Sequence, residues 1–173
     1  VGENHRSEFI YDGMGRRVKK TDYSDWNGSI YSTTNVTTFV YDGIHCIADL
    51  NATGGLVRSY VVGPGVDNWL AMTVYTGATA QTYFYLTDHL GTVHAVADES
   101  GAIVESYKYD AWGRVLGVYD SSNNPIAESQ IGNRILWQGR EYSFTTGLYH
   151  LRLRVYDPVT GRWLSNDPIG ISG

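Results

Sequence analysis

A Tyr-Asp phrase closed by glycine recurs four times in this chain, and that recurrence restricts it to architectures built by repetition. Phe9-Ile10-Tyr11-Asp12-Gly13-Met14-Gly15-Arg16 matches Tyr107-Lys108-Tyr109-Asp110-Ala111-Trp112-Gly113-Arg114 position for position. Val155-Tyr156-Asp157-Pro158 with Gly161-Arg162 is the same phrase with one extra residue, and Phe39-Val40-Tyr41-Asp42-Gly43 loses the Gly-Arg ending. Each reads as the end of a strand, a turn opened by aspartate and closed by glycine, and the start of the next strand. Units of this kind close no core alone, so each must stack on a neighbour.

Between the phrases lie further short runs bounded by turn residues: Leu56 to Val62, Trp69 to Tyr75, Gln81 to Leu86, Thr92 to Ala97 and Ala102 to Tyr109. From Leu148 the residues alternate in parity as far as Tyr156, which predicts one half-buried strand carrying His150, Arg152 and Arg154 on the same face. Asp157-Pro158-Val159-Thr160-Gly161 then turns into Arg162-Trp163-Leu164, and Asn166-Asp167-Pro168-Ile169-Gly170 repeats that grammar. Residues 22–35, rich in Ser, Asn, Asp and Gly, read as a looser excursion, and 120–134 as a second loop in which Ile126 to Ile131 has room for one helical turn. No amphipathic helical period appears. The expectation is a single all-β module of residues 1–173: about a dozen strands stacked as antiparallel hairpins in a strip or spiralling sheet, with little or no helix.

Composition agrees. Fourteen Tyr, five Trp and twenty Gly beside two Met suit sheets and turns better than helices. A net charge of −5 argues against nonspecific nucleic-acid binding. No apolar run approaches the ~20 residues of a membrane helix. The lone Cys46 excludes an intrachain disulfide. The chain begins with Val, which suggests a processed product or a piece of something longer.

Candidate chemistry is sparse. Asp88, Asp110, Asp157 and Asp167 could include an acid/base pair, but each precedes a glycine by three residues, or four for Asp157, as turn chemistry requires. His89, His94 and His150 with Asp88 lack metal-ligand spacing apart from one His-x4-His pair, and His45 and Cys46, adjacent on a strand, should diverge. Arg152 and Arg154 could hold an anion beside His150. The structural alternative is pairing with carboxylates or stacking on tyrosines across strands. Recurring tyrosines suggest a ladder of stacked rings before they suggest sugar binding. Asn27, Asn35 and Asn51 match the glycosylation acceptor pattern in what read as loops, a match expected by coincidence in a bacterial protein. Nothing asks for a cofactor, and no catalytic spacing is present.

Taken together, Tyr109-Asp110-Ala111-Trp112-Gly113-Arg114, Thr87-Asp88-His89-Leu90-Gly91, Gly139-Arg140-Glu141-Tyr142 and the ending Tyr156-Asp157-Pro158 to Gly161-Arg162 through Asp167-Pro168-Ile169-Gly170 resemble the RHS/YD-repeat proteins and their repeat-associated core domain. The resemblance implies an extracellular or surface-delivered bacterial protein whose β-strip, in long members, winds into a shell around a toxic segment. Such members also cut themselves just beyond the core, using aspartates near a second Asp-Pro-x-Gly phrase, whereas this sequence holds a single one, Asp167-Pro168-Ile169-Gly170. The expected function is a non-catalytic structural module whose open sheet edges recruit further copies, or neighbouring repeats, into a longer strip or filament. The alternative is a fragment of a toxin-encapsulating shell.

Overall fold

The computed structural model describes residues 5–166. Eleven strands form one antiparallel meander in strict chain order: β1 (Arg6–Tyr11), β2 (Arg17–Trp26), β3 (Tyr31–Asp42), β4 (His45–Leu50), β5 (Leu56–Val62), β6 (Trp69–Thr76), β7 (Thr79–Thr87), β8 (Val93–Ala97), β9 (Ile103–Tyr109), β10 (Val115–Asp120) and the two-residue β11 (Pro125–Ile126). A second antiparallel sheet holds β12 (Glu141–Ser143), β13 (Leu148–Leu151), β14 (Arg154–Asp157) and β15 (Arg162–Trp163). The large sheet does not close on itself; β1 and β11 are its edges. The only helical segment among the described residues is a single 3-10 turn, Trp137–Gly139.

Six of the turns are wired alike. At Asp12, Asn51, Asp88, Asp98, Asp110 and Asp120, the side-chain Oδ1 accepts the backbone N–H groups two and four residues ahead, at 2.8–3.0 Å. The backbone of the same residue exchanges bonds with the residues three and four ahead. The fourth position is left-handed, as in Gly113 at φ 85° and Asn123 at φ 62°. This is a three-residue hairpin loop in which the aspartate, or Asn51 in its one copy, does the work of an extra backbone acceptor. Tyr119-Asp120 belongs to the series, but Asn123 replaces the glycine, which hides it from a search for glycine-closed phrases. Asp42, by contrast, lies in strand β3 opposite His45, across a two-residue turn of Gly43 and Ile44. Asp157 opens the longer variant, bonding Val159 N–H and the Thr160 hydroxyl.

Beside many of these turns the ladder slips by one residue, for example between Ile10 and Tyr11, Leu86 and Thr87, and Val115 and Gly117. Each such bulge bends its strand and adds right-handed twist. Repeated hairpin after hairpin, the bulges curve the sheet around the smaller one.

Three expectations fail. The alternating run from Leu148 is not one strand: Arg152 adopts φ 57°, and Leu151 pairs with Arg154 across a two-residue turn. Parity misleads at such a reversal, because a two-residue turn pairs residues of opposite parity: Tyr149 faces Tyr156 and His150 faces Val155, while the sequence itself goes on alternating past the turn. Arg152 therefore sits in the turn, and His150 lies opposite Val155, so the three cations do not share a strand face. Residues 22–35 are no excursion either. β2 and β3 extend through them, pairing Asp22 with Asn35 and Trp26 with Tyr31, and the turn shrinks to Asn27–Ile30. Aromatic contacts of Tyr31 with Tyr23 and Trp26, at 5.7 and 4.8 Å, outweigh the turn-forming composition. Ile126 to Ile131 forms no helical turn.

The small sheet lies on the inner face of the large one. Tyr60, Met72, Tyr83, Tyr85, Val93, Val96, Tyr107 and Val118 from the large sheet form one buried cluster with Ile135, Leu136, Tyr149 and Tyr156. Because connections of a meander alternate between its two ends, the turn tips sort by end. One end carries the exposed apolar tips Met14, Ile44, Val66, Leu90 and Trp112; the other, apart from Ile30, carries Thr53, Ala78, Ser100 and Ser122.

Candidate functional site

The Tyr-Asp residues singled out by the repeat are spent on structure. Tyr41 donates its hydroxyl to the Arg17 carbonyl, Tyr109 to that of Val93 and Tyr156 to that of Trp112, at 3.1, 2.7 and 2.9 Å. Each ties its strand to a backbone carbonyl of another element. Tyr11, at the sheet edge, is exposed. Ring contacts do not run as a ladder along the large sheet; they gather in the small one, where Tyr142, Tyr149, Tyr156, Trp137 and Trp163 touch in sequence at 4.8–6.4 Å. The Gly-Arg ending has a local role at its first copy: Arg16 forks back onto Asp12 at 2.7 Å and reaches the Gly43 carbonyl. Gly15, Gly113 and Gly161 supply the left-handed turn residue of their copies, while Pro158 is buried, and Arg162 pairs with Asp157 in the ladder. Asp167, Pro168 and Gly170 lie outside the described residues.

Asp88, Asp110 and Asp157 are spent on their own turns, and Asp167 lies outside the described residues. Asp12, Asp98, Asp120 and Asp157 all have lowered pKa values, led in turn by the Arg16 backbone N–H, the Ser100 hydroxyl, the Asn124 backbone N–H and the Thr160 hydroxyl. For Asp88 burial pulls upward, and the N–H groups of Thr92 and Leu90 outweigh it. His94 Nε2 stands 3.4 Å from its Oδ2. Among the described residues, no three His, Cys, Asp or Glu side chains gather as a metal site requires. Cys46 is no nucleophile in waiting, since burial pushes its thiol up to about 12. Arg154 stacks on Trp163, 3.8 Å from the ring centre. Asn27 and Asn51 cap their own turns through Oδ1, while Asn35 stands in strand β3, not in a loop.

Sequence reasoning missed the charged seam between the sheets. Asp49 on β4 is fully buried and is held by Arg134, by the Tyr60 hydroxyl at 2.7 Å and by Arg58 at 3.7 Å. Arg134 also faces Glu141 of β12 at 3.4 Å, and Glu141 pairs with Arg17 of β2. Burial opposes the charge on Arg134, but Asp49, Tyr60 and Glu141 outweigh it and hold its pKa above the usual value. Burial likewise opposes the charge on Glu141, and Arg17 with Arg134 keeps it ionised. A second seam pins the 120–134 loop: Glu105, only 2% exposed, accepts Tyr107 O–H and the N–H groups of Gln130 and Ile131, while Asn133 bonds Tyr85, Tyr107 and Ile135. A lone Glu in the apolar run of β9 was the one signal available.

His150 borders the first seam, and its ring meets that of Phe9 at a tilt of 59° with centres 5.0 Å apart. Burial first, and then Arg17, push its pKa down to about 4 against the opposing field of Glu141; Lys20 and Asp22 add smaller effects. Unfolded histidine titrates near 6.5. The folded state thus binds fewer protons in the interval, so the contribution of the neutral ring is complete above about pH 6.5 and is lost as pH falls towards 4. Urea unfolding should show a loss on the order of 2 kcal/mol over that window, allowing for partial exposure. His150→Phe should flatten the window, and an unchanged slope would disprove the assignment.

A cavity of about 230 Å³ opens where this seam meets the end of the large sheet bearing apolar tips. Arg17, Arg134, Arg140 and Glu141 form its walls, and Met14, Ile44 and Leu153 surround its mouth.

The family model described as teneurin YD-shell matches residues 2–171. Double-stranded DNA deaminase toxin A of Burkholderia cenocepacia (strain H111) is 29% identical over 181 residues, covering 96% of this chain and 12% of that protein. The tRNA nuclease WapA of Bacillus subtilis (strain 168) is 31% identical over 162 residues, covering 92% of the chain and 6% of the relative. The crystal structure of TcdB2-TccC3 superposes with a TM-score of 0.71 at 20% identity, over 96% of this chain and 8% of that one, and shows the same fold. The chain thus spans an eighth or less of the length of each of these proteins.

Proposed function

This chain belongs to the teneurin YD-shell family, and from that membership we propose that it is a non-catalytic structural module of a shell wall, continued at β1 by a strand from a neighbouring YD repeat. The observation that carries the reading is the edge itself. β1 has a sheet partner on one side only among the described residues, so alternate N–H and C=O groups along it lack a ladder partner. The opposite edge is blunted by the two-residue β11, which begins with Pro125, and β1 carries no such block.

The non-catalytic part is supported by the fate of the carboxylates, which serve turns and sheet-to-sheet ion pairs. A role beside a toxin, with delivery outside the cell, is supported by relatives named as a deaminase toxin and a tRNA nuclease. Assembly of separate copies into a filament uses the same edge, with a second copy in place of the neighbouring repeat.

Cryo-electron microscopy of the protein expressed from its full reading frame tests the proposal. The expected map shows hydrogen-bonded strands continuing past β1, from the same polypeptide for a shell or from another copy for a filament. A map in which β1 borders solvent would overturn both.

A further inference from the structure

The cavity at the seam has features that a merely structural brace does not need. Arg17 is 6% exposed, spends Nη2 on Glu141, and leaves Nε and Nη1 without a hydrogen-bond acceptor among the described residues. Arg140, on the same walls, leaves Nε without a hydrogen-bond acceptor while its Nη1 engages Asp67, and Arg134 Nε has Glu141 at 3.4 Å but no hydrogen bond of good geometry. Buried N–H groups left unpaired are costly, and a charged acceptor is what such groups bind best. Arg152 stands exposed at the lip, with no carboxylate partner among the described residues.

The mouth narrows the class of ligand. Met14, Ile44 and Leu153 are exposed aliphatic side chains, and Trp69 lines the wall. A net charge of −5 on the whole chain disfavours polyanions such as nucleic acid. A single carboxylate between apolar neighbours matches both the arginine walls and the aliphatic rim. We propose that this cavity binds the carboxylate of an acidic residue in an extended peptide segment, with the flanking apolar side chains on Met14, Ile44 and Leu153. The geometry is that of a charge-assisted socket with an apolar collar, distinct from edge pairing at β1, so the two stand or fall separately.

The probe is the blocked tripeptide acetyl-Leu-Glu-Leu-amide, titrated into the intact chain by heteronuclear NMR, beside its Gln counterpart. The Glu peptide should shift the resonances of Arg17, Ile44 and Leu153 with Kd on the order of 1 mM, and the Gln peptide should bind at least tenfold more weakly. Arg152→Gln changes an exposed turn residue and should weaken the Glu peptide about fivefold, consistent with loss of one partly screened ion pair. Ile44→Ser, which changes an exposed aliphatic residue of the same cavity, should weaken both peptides and preserve the preference for Glu. Equal binding of Glu and Gln peptides, or no shifts up to 10-fold above that concentration, would overturn the proposal and leave the buried N–H groups to solvent.

Discussion

Replacing Arg134 by Met is expected to cost about 3–5 kcal/mol in urea unfolding, because it strands a buried carboxylate rather than merely deleting a contact. Asp49 is fully buried, and Arg134 is its principal counter-charge; Tyr60 O–H and the more distant Arg58 do not replace it. Glu141 loses one of its two arginines at the same time. The decisive comparison is the double variant Arg134→Met with Asp49→Asn. Neutralising the stranded charge should recover at least half of the loss, since the penalty resides in the unpaired carboxylate. Additive losses in the double variant would show that Arg134 acts through packing on Phe39 and Tyr60, whose rings lie 5.2 and 5.1 Å from its guanidinium carbon.

Gly113→Ala is expected to cost about 3 kcal/mol, combining left-handed strain of about 1–2 kcal/mol with overpacking of about 1–3 kcal/mol. Gly113 sits at φ 85°, and an added Cβ would come within 2.4 Å of the Trp137 ring. That ring cannot easily withdraw: it stacks on Tyr156 with centres 5.8 Å apart and contacts Tyr149 at 6.0 Å. Tyr149 in turn donates its hydroxyl to the Gly113 carbonyl at 2.8 Å. Gly101→Ala provides the control, since Gly101 has φ 84° with open space around the added carbon. It should cost only the conformational part, about 1–2 kcal/mol. Equal losses at the two glycines would mean that the small sheet does not press on this turn in solution.

These two experiments separate what was legible in the chain from what was not. Asp110 and Gly113 announce a turn because every partner of Asp110 Oδ1 lies within four residues of it. The same locality made Asp12, Asp88 and Asp98 readable, and with them the all-β character and the stacking of hairpins. The resemblance carried by the Tyr-Asp phrases and the ending correctly anticipated the family. Where reading failed, the deciding contacts were distant or the signal was degenerate. Nothing near Asp49 foretells a partner 85 positions on, and nothing near Trp69 foretells its 2.9 Å hydrogen bond to the Gly139 carbonyl. The turn at Arg152 escaped because the sequence goes on alternating through a two-residue reversal that swaps which parity shares a face, and the 22–35 hairpin because turn-forming residues also pair when aromatic neighbours hold them.

By itself, then, the sequence determined the hairpin unit, its turn chemistry and the open, repeating sheet, all set by interactions within a few residues. The tertiary structure decided that the last four strands fold back onto the inner face, joining Arg17, Asp49, Arg134 and Glu141 into one seam and opening a cavity beside it. The physical reason is that burial of charge is favourable only when opposite charges from separate elements meet, and that meeting is a property of the folded chain, written in no single segment of it.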